Sequence, residues 1–311
     1  MTERNTRRRF LTTGGGLVTL ALAGCLDESG TDGEMGDGDE MDGDGMNSDD
    51  GMDGEMGNGD GMDGDGMNSN DGMDGEEGMS EPVTVRVRIE NVAASEFYPS
   101  DTSTGGAVWV TPGAYAVHTG ANPIYELDEP ASIGLEALAE AGTPNGFEGG
   151  DGLVGEIDAS MGVHDSGAYT PDDTIADPND PTGEVPGAPP IAPGGAFEFE
   201  VTVAPGQRLS FASMFVPSND VFISTDEEGI ALWPEDGDPV DGDITGTVAL
   251  FDAGTEPNTE SPGTGPDQAP AQGAPDQGSD EDGVVRRLSD VDDGHEYPAA
   301  EDVVQVTVTP T

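Results

Sequence analysis

The chain has 311 residues and a mass of 31.8 kDa, enough for one large domain or two small ones. Its 65 Asp and Glu residues against 9 Arg, with no Lys, give a formal charge of −56. Nucleic acids are bound mainly by Lys and Arg that neutralise phosphates, so this composition excludes a nucleic-acid partner. Such an excess of carboxylates is typical of proteins that stay soluble at high salt. It therefore indicates a saline habitat more than it indicates a binding partner.

Residues 1–25 are predicted to be an export signal. Arg7 and Arg8 resemble the pair read by the twin-arginine pathway, which carries folded proteins across the membrane. The apolar stretch that follows is too short for a permanent transmembrane helix. It ends in Leu-Ala-Gly-Cys at Cys25, which resembles a lipobox, although an ordinary cleaved signal is the alternative. We expect Cys25 to be acylated and the protein to be anchored by lipid on the outer face of the cell membrane.

Residues 26–80 are predicted to be a disordered acidic tether. A 21-residue block rich in Asp, Gly and Met occurs twice in tandem from Met41, and no apolar period of a helix or strand runs through it. Nine Met lie between Met35 and Met79. These Met residues could simply have been copied when the repeat expanded. The alternative is metal scavenging, because thioethers are soft ligands that can bind Cu(I).

The composition changes at Glu81, where patterns typical of folded structure begin. VTVRVRI at 83–89 alternates apolar and polar residues, which predicts a half-buried strand. The further predicted strands are 106–111, 196–203, 208–216, 221–224, 245–251, 283–288 and 303–309. A helix is predicted over 133–141 and a long loop over about 142–195. Many short strands separated by Pro and Gly predict an all-β fold, an antiparallel sandwich or barrel.

Three stretches of the chain resemble the spondin N-terminal domain family, which occurs in animal matrix proteins and in microbial secreted proteins. They are FEFEVTVAPGQRLSFASMFVPSND at 197–220, ALFDAGTEPNTESP at 249–262 and the final strand at 302–310. The resemblance covers roughly residues 81–311. Val221 stands where the animal proteins have Trp, and their disulfide-bearing cysteines are absent, so properties of the animal receptors do not transfer.

The resemblance implies an eight-stranded β-sandwich similar to C2 domains, with one Ca²⁺ at an edge. The family's metal ligands fall on Glu200, Asp220, Asp252 and Glu256, with Glu200 one residue away from the animal spacing. The residue types agree with this assignment, because Ca²⁺ takes several oxygen ligands that converge from separate loops. Asp252 and Glu256 follow a predicted strand four residues apart, and Gly254 between them lets the backbone bend.

Other chemistries have weaker support in the sequence. His118, His164 and His295 have no metal-ligand spacing, and no Gly-x-Ser-x-Gly motif is present for a serine hydrolase. Blue copper requires a cysteine in the folded domain, and the only Cys is in the signal. Trp109 and Trp233 are few for a sugar-cleaving site, and Trp233 is predicted to fill the core or cap a loop.

The sequence therefore predicts a monomeric cell-surface lipoprotein whose Ca²⁺-binding spondin-like domain, residues 81–311, serves adhesion or recognition and not catalysis. The ion would stabilise loops, or bridge to an anionic partner such as a surface glycan or an extracellular protein. Two alternatives stay open. One is a secreted hydrolase acting on surface polysaccharide, with its site in the 142–195 segment, and the other is a Met-rich metal scavenger.

Overall fold

The computed structural model describes residues 81–146, 152–169, 174–176, 190–235, 237–265, 268, 271–272 and 277–311. The predicted signal and tether lie outside these residues. The strands are β1 Val83–Asn91, β2 Trp109–His118, β3 Val163–Tyr169, β4 Thr174–Ala176, β5 Ala196–Val203, β6 Arg208–Val216, β7 Val221–Thr225, β8 Ile230–Ala231, β9 Gly242–Asp243, β10 Val248–Asp252, β11 Arg286–Arg287 and β12 Val304–Pro310. The helices are α1 Ile133–Ala141 and α2 Leu153–Asp158. Within these ranges no helix is long and apolar enough to cross a bilayer.

The strands form two antiparallel sheets, which confirms the predicted all-β sandwich. The smaller sheet has the order β4-β5-β1-β12-β9, and the larger has the order β11-β10-β7-β6-β2-β3 with β8 beside β6. In the part of the chain that the structure describes, the sheets therefore have five and seven strands, more than the eight in total that the family resemblance implies. The first and last strands are neighbours, because β1 pairs with β12 along its length.

The main core lies between the two sheets. In β1 the buried side chains alternate with half-exposed ones, as the sequence predicts for a strand with one face on a core. Aromatic rings from both sheets meet there, and Tyr169 stacks on Phe199 with their ring centroids 4.9 Å apart. Trp233 is buried against the same cluster, and its indole N–H donates to Gly237 O at 2.9 Å. Its predicted role in core filling and loop capping is therefore confirmed.

A second core covers the outer face of the larger sheet. The helices α1 and α2 pack there against rings and small side chains of the sheet, chiefly Ala114, Ala116, Ala212, Phe222 and Phe251. Every residue of β7 is buried as a result, and in β6 only Arg208 is not. A strand covered on both faces has no solvent side, which explains why these two strands carry apolar residues on both faces, with Ser and Thr among them.

Helix α1 begins and ends where the sequence predicts. The Ser132 hydroxyl accepts from Leu135 N at its N-terminus, and Gly142, with φ 65°, ends the helix in the left-handed conformation. The two helices touch closely at Gly134, where a Cβ would lie 2.4 Å from Leu153 N. Only glycine fits that contact between the helices.

The predicted long loop over 142–195 is wrong in part, because α2, β3 and β4 lie within it. The prediction for β2 is shifted as well, since the strand begins at Trp109 and continues to His118. Its pairing with β6 changes register between Val110 and Gly113, around Pro112. A bulge of this kind breaks the regular alternation and hides the strand from a periodicity argument.

Candidate metal centre

Two predicted ligands lie at the same end of the larger sheet. Asp220 immediately precedes β7, and Asp252 is the last residue of β10. These strands are antiparallel neighbours, and Asp252 is paired with Val221, the first residue of β7. Ala253 N also donates to Asp220 O at 3.2 Å. The strand register therefore places the two carboxylates side by side.

The turn before β7 holds the loop that follows β10. The Ser218 hydroxyl accepts from Val221 N at 3.1 Å, which closes a turn of the kind that Pro-Ser-Asn-Asp favours. The Asn219 side-chain amide donates to Glu256 O at 3.2 Å and to Pro257 O at 3.1 Å. These bonds connect the two loops and bring Glu256 to the same end of the sheet.

Asp220 is fully buried, and only one of its carboxylate oxygens has partners. Its Oδ2 accepts from Thr255 N at 2.9 Å and from Glu256 N at 3.1 Å, whereas Oδ1 has no hydrogen-bond partner. Burial and the nearby charge of Asp252 raise the pKa of Asp220 to about 8, against the effect of the two backbone N–H groups. A buried acceptor without a donor is costly, and it is an available ligand for a cation.

Asp252 is also fully buried, and its charge is balanced by an arginine. Its Oδ1 accepts from Gly254 N at 2.7 Å, and its Oδ2 accepts from the Asn258 side-chain amide at 2.5 Å. Arg286, its cross-strand partner on β11, places Nη2 at 3.2 Å from Oδ1 and 3.1 Å from Oδ2. Burial opposes the charge of Arg286, but the charge and hydrogen bond of Asp252 together with the charges of Glu281 and Asp220 outweigh it, so the pKa of Arg286 is raised.

Residues 277–287, the covering segment, lie over the third carboxylate. Glu256 is 1% exposed and packs against Gly278, where a Cβ would lie 1.9 Å from Glu256 Oε1. Glu281 N donates to Thr255 O at 2.7 Å, which fixes the segment to the loop after β10. A side chain at position 278 would therefore displace either the Glu256 carboxylate or the segment.

The loop beneath the covering segment also needs its glycine. Gly254 has φ 67°, and its O accepts from Gly283 N at 2.9 Å. A Cβ at Gly254 would lie 2.5 Å from Val284 O. The bend predicted between Asp252 and Glu256 is therefore present, and the close passage of the covering segment is what forbids a larger residue there.

The structure does not bring Glu200 to the other three carboxylates. Glu200 lies on β5 in the smaller sheet, and its side chain is 54% exposed. Its Oε1 accepts from Arg86 Nη2 at 3.2 Å, across from it on β1. In the described ranges no contact joins Glu200 to Asp220, Asp252 or Glu256, so the assignment of Glu200 as a ligand is not supported.

The remaining three carboxylates have the chemistry that Ca²⁺ requires, since it is a hard cation that binds oxygen. In the described part of the chain, however, no three His, Cys, Asp or Glu side chains are already grouped closely enough to hold an ion. Binding of an ion by these three carboxylates would therefore require side-chain movement. Asp220 Oδ1 has no hydrogen-bond partner, and Asn258, which the sequence analysis missed, contacts Asp252 through its side-chain amide.

A second buried polar cluster lies away from this centre. His118 Nε2 is 2.9 Å from Ser210 Oγ, and both residues are at most 1% exposed. Gly229, with φ 68°, closes over the pair, because a Cβ there would lie 2.7 Å from Ser210 Oγ. Ser210 is thus enclosed and is not presented to a substrate. His164 and His295 contact Thr119 Oγ1 and Ser261 Oγ.

Comparison of the chain with models of known protein families and with curated proteins finds no match to either.

Proposed function

We propose that the chain is an exported, lipid-anchored surface protein whose spondin-like β-sandwich binds one Ca²⁺ and serves adhesion or recognition. The observation that carries the proposal is Asp220. A fully buried carboxylate that has an unpartnered oxygen, beside the buried carboxylates of Asp252 and Glu256, is destabilising unless it is protonated or a cation joins it. Carboxylate oxygens select a hard divalent ion such as Ca²⁺ over a soft metal.

The burial of the centre favours a structural role for the ion over a bridging one. Asp220 and Asp252 are fully buried and Glu256 is nearly so, and the covering segment lies above Glu256. An ion held there would be surrounded mainly by buried side chains and by the covering segment. It would join the turn before β7, the loop after β10 and the covering segment at one end of the sandwich, and stabilise all three.

Recognition would then use another surface, and the outer face of the smaller sheet suits it. Arg86 and Arg88 on β1 alternate there with Glu198 and Glu200 on β5 and with the Thr-rich β12. Arg86 contacts Glu198 at 3.4 Å and Glu200 at 3.2 Å. A polar face with paired charges and hydroxyls offers hydrogen bonds to a surface glycan or to an extracellular protein.

The test uses the mature protein, residues 25–311, with calcium titrated calorimetrically at fixed ionic strength. One site per chain is expected, together with a higher thermal midpoint in calcium than in chelator. Magnesium at the same concentration is the control, because it demands tighter octahedral geometry and retains its water. Equal effects of both ions would indicate diffuse screening by many carboxylates and would overturn the proposed site. Pulldown of surface glycans and proteins, with and without calcium, then tests recognition.

A further inference from the structure

Arg286 occupies the carboxylate that a calcium ion would need. Asp252 Oδ1 accepts from Gly254 N and Arg286 Nη2, and Oδ2 accepts from Asn258 Nδ2 and Arg286 Nη2. A carboxylate has about four lone-pair positions, so both oxygens are filled. We propose, on the basis of the metal centre proposed above, that Arg286 is a resident counter-ion that leaves Asp252 when calcium binds.

Arg286 is the partner of Asp252 that can leave at the lowest cost. The Gly254 N–H belongs to a tight turn and stays with the backbone. The Asn258 amide can rotate and offer its oxygen to the ion. The Arg286 side chain is 36% exposed, and its Nε is buried without a partner, so its guanidinium is imperfectly satisfied in the centre and can regain water outside it.

Coexistence of the two cations on Asp252 is unfavourable. Positive charges a few ångströms apart repel more strongly in a buried, low-dielectric site than in water. A second acidic group, Glu281, lies near the Arg286 guanidinium. Its Oε1 is 4.0 Å from Arg286 Nη2, and its side chain is 32% exposed. Arg286 can therefore move from Asp252 towards Glu281 and solvent without losing an acidic partner.

The backbone of β11 can stay in place while the Arg286 side chain moves. Arg287, the next residue, donates to Asp226 Oδ1 at 2.7 Å. Its guanidinium carbon also lies 5.3 Å from the centroid of the Phe251 ring. These contacts hold the strand against β10 independently of Asp252. Arg287 carries the same charge as Arg286, next to it in the chain, but its guanidinium is bound to Asp226.

The experiment compares Arg286→Gln with Arg287→Gln in the mature protein, at fixed ionic strength. Calcium affinity is measured by calorimetry, and thermal midpoints are measured in chelator and in saturating calcium. Arg286→Gln removes the competing cation, so calcium should bind about tenfold more tightly, within the range usual for coupled sites. Its thermal midpoint should fall in chelator and recover most of the loss in calcium. Arg287→Gln, the matched charge control, should leave the affinity unchanged within about twofold.

The possible results separate the two proposals. If the wild type binds calcium and Arg286→Gln binds it equally or more weakly, Arg286 stays in the centre and the counter-ion role is overturned while the metal centre stands. If neither protein binds calcium, both proposals fail. If Arg286→Gln is unfolded in chelator, folding on addition of calcium supports the counter-ion role. Failure to fold in calcium contradicts it, because the defect must then extend to the calcium-bound state.

Discussion

Glu200 and Arg86 face each other across β5 and β1, and Arg86 Nη2 donates to Glu200 Oε1 at 3.2 Å. Glu200→Gln should therefore leave the calcium response of the thermal midpoint unchanged. Both side chains are about half exposed, and such surface pairs contribute at most about 1 kcal/mol to the free energy of unfolding. Asp252→Asn should abolish the calcium response, and Asp241→Asn, at an exposed position, should not. Loss of the response in Glu200→Gln would restore the four-ligand set that the family resemblance implies.

Asp220 should make the metal-free protein less stable as the pH rises. Its pKa is about 8 in the folded state against an ordinary value of 3.8, so folding favours the protonated form. This contribution is fully present below about pH 4 and is lost as the pH rises through 8. Asp220→Asn retains an acceptor for Thr255 N and Glu256 N without the charge. In chelator, its thermal midpoint should fall less between pH 5 and pH 8 than that of the wild type, and parallel pH profiles would contradict this.

The site shows what the sequence can and cannot predict. Asp220 and Asp252 could be placed together, because each lies at the end of a strand with a clear apolar pattern. The alternation of β5 also explains why Glu200 lies apart from Asp220 and Asp252, since Phe199 and Val201 face the core and Glu200 points outwards. Arg286 could not be predicted, because its contact with Asp252 depends on the register of a two-residue strand.

The fold was predictable where one face of an element is apolar and the other is polar. This holds for β1 and β5, and α1 also has its terminal signals in Ser132 and Gly142. The sequence pattern does not predict β3, because its residues VHDSGAY carry no apolar alternation. Most of them are half-exposed at the edge of the larger sheet. Such strands form because a neighbouring strand offers hydrogen bonds, which local sequence does not encode.

His118 should make the protein sensitive to acid. Burial, then the charges of Arg208 and His164, lower the pKa of His118 to about 4 from an ordinary 6.5. Folding thus favours the neutral ring, so this contribution is present above about pH 6.5 and is lost as the pH falls through 4. His118→Gln should reduce the loss in unfolding free energy between pH 7 and pH 4 by on the order of 2 kcal/mol. Urea unfolding at both pH values measures it, and an unchanged loss would show that carboxylates alone cause the acid sensitivity.

Gly229→Ala should destabilise the protein strongly. A Cβ at this position, where φ is 68°, would lie 2.7 Å from Ser210 Oγ and 2.9 Å from His118 Nε2. The strained backbone and the clash together should cost about 2 kcal/mol or more, measured by urea unfolding. Gly155→Ala is the matched control, because Gly155 lies within α2 with nothing near its Cβ, and it should gain up to about 1 kcal/mol. Equal effects of the two substitutions would contradict the close packing over His118.

The export signal gives a prediction that needs no purified protein. Replacing Arg7 and Arg8 by lysine should block export, because the twin-arginine pathway reads that pair. Cys25→Ser should release the protein into the medium, since the acyl anchor can no longer be attached. Fractionation of cells followed by immunoblotting distinguishes these outcomes. Retention of both variants at the cell surface would show that export does not require Arg7 and Arg8 and that attachment does not require Cys25.

The pairing of β1 with β12 has a consequence for the order of events in the cell. The centre of the smaller sheet joins Val85 to Pro310, so that sheet cannot be completed until residue 310 has been synthesised and has left the ribosome. Contacts this distant in sequence are made slowly, because closing a long loop costs entropy before the contact stabilises anything. An export pathway that moves the unfolded chain through the membrane during synthesis would place β1 outside before β12 has been made. The twin-arginine pathway predicted from Arg7 and Arg8 carries folded proteins, so β1 and β12 could pair inside the cell before export.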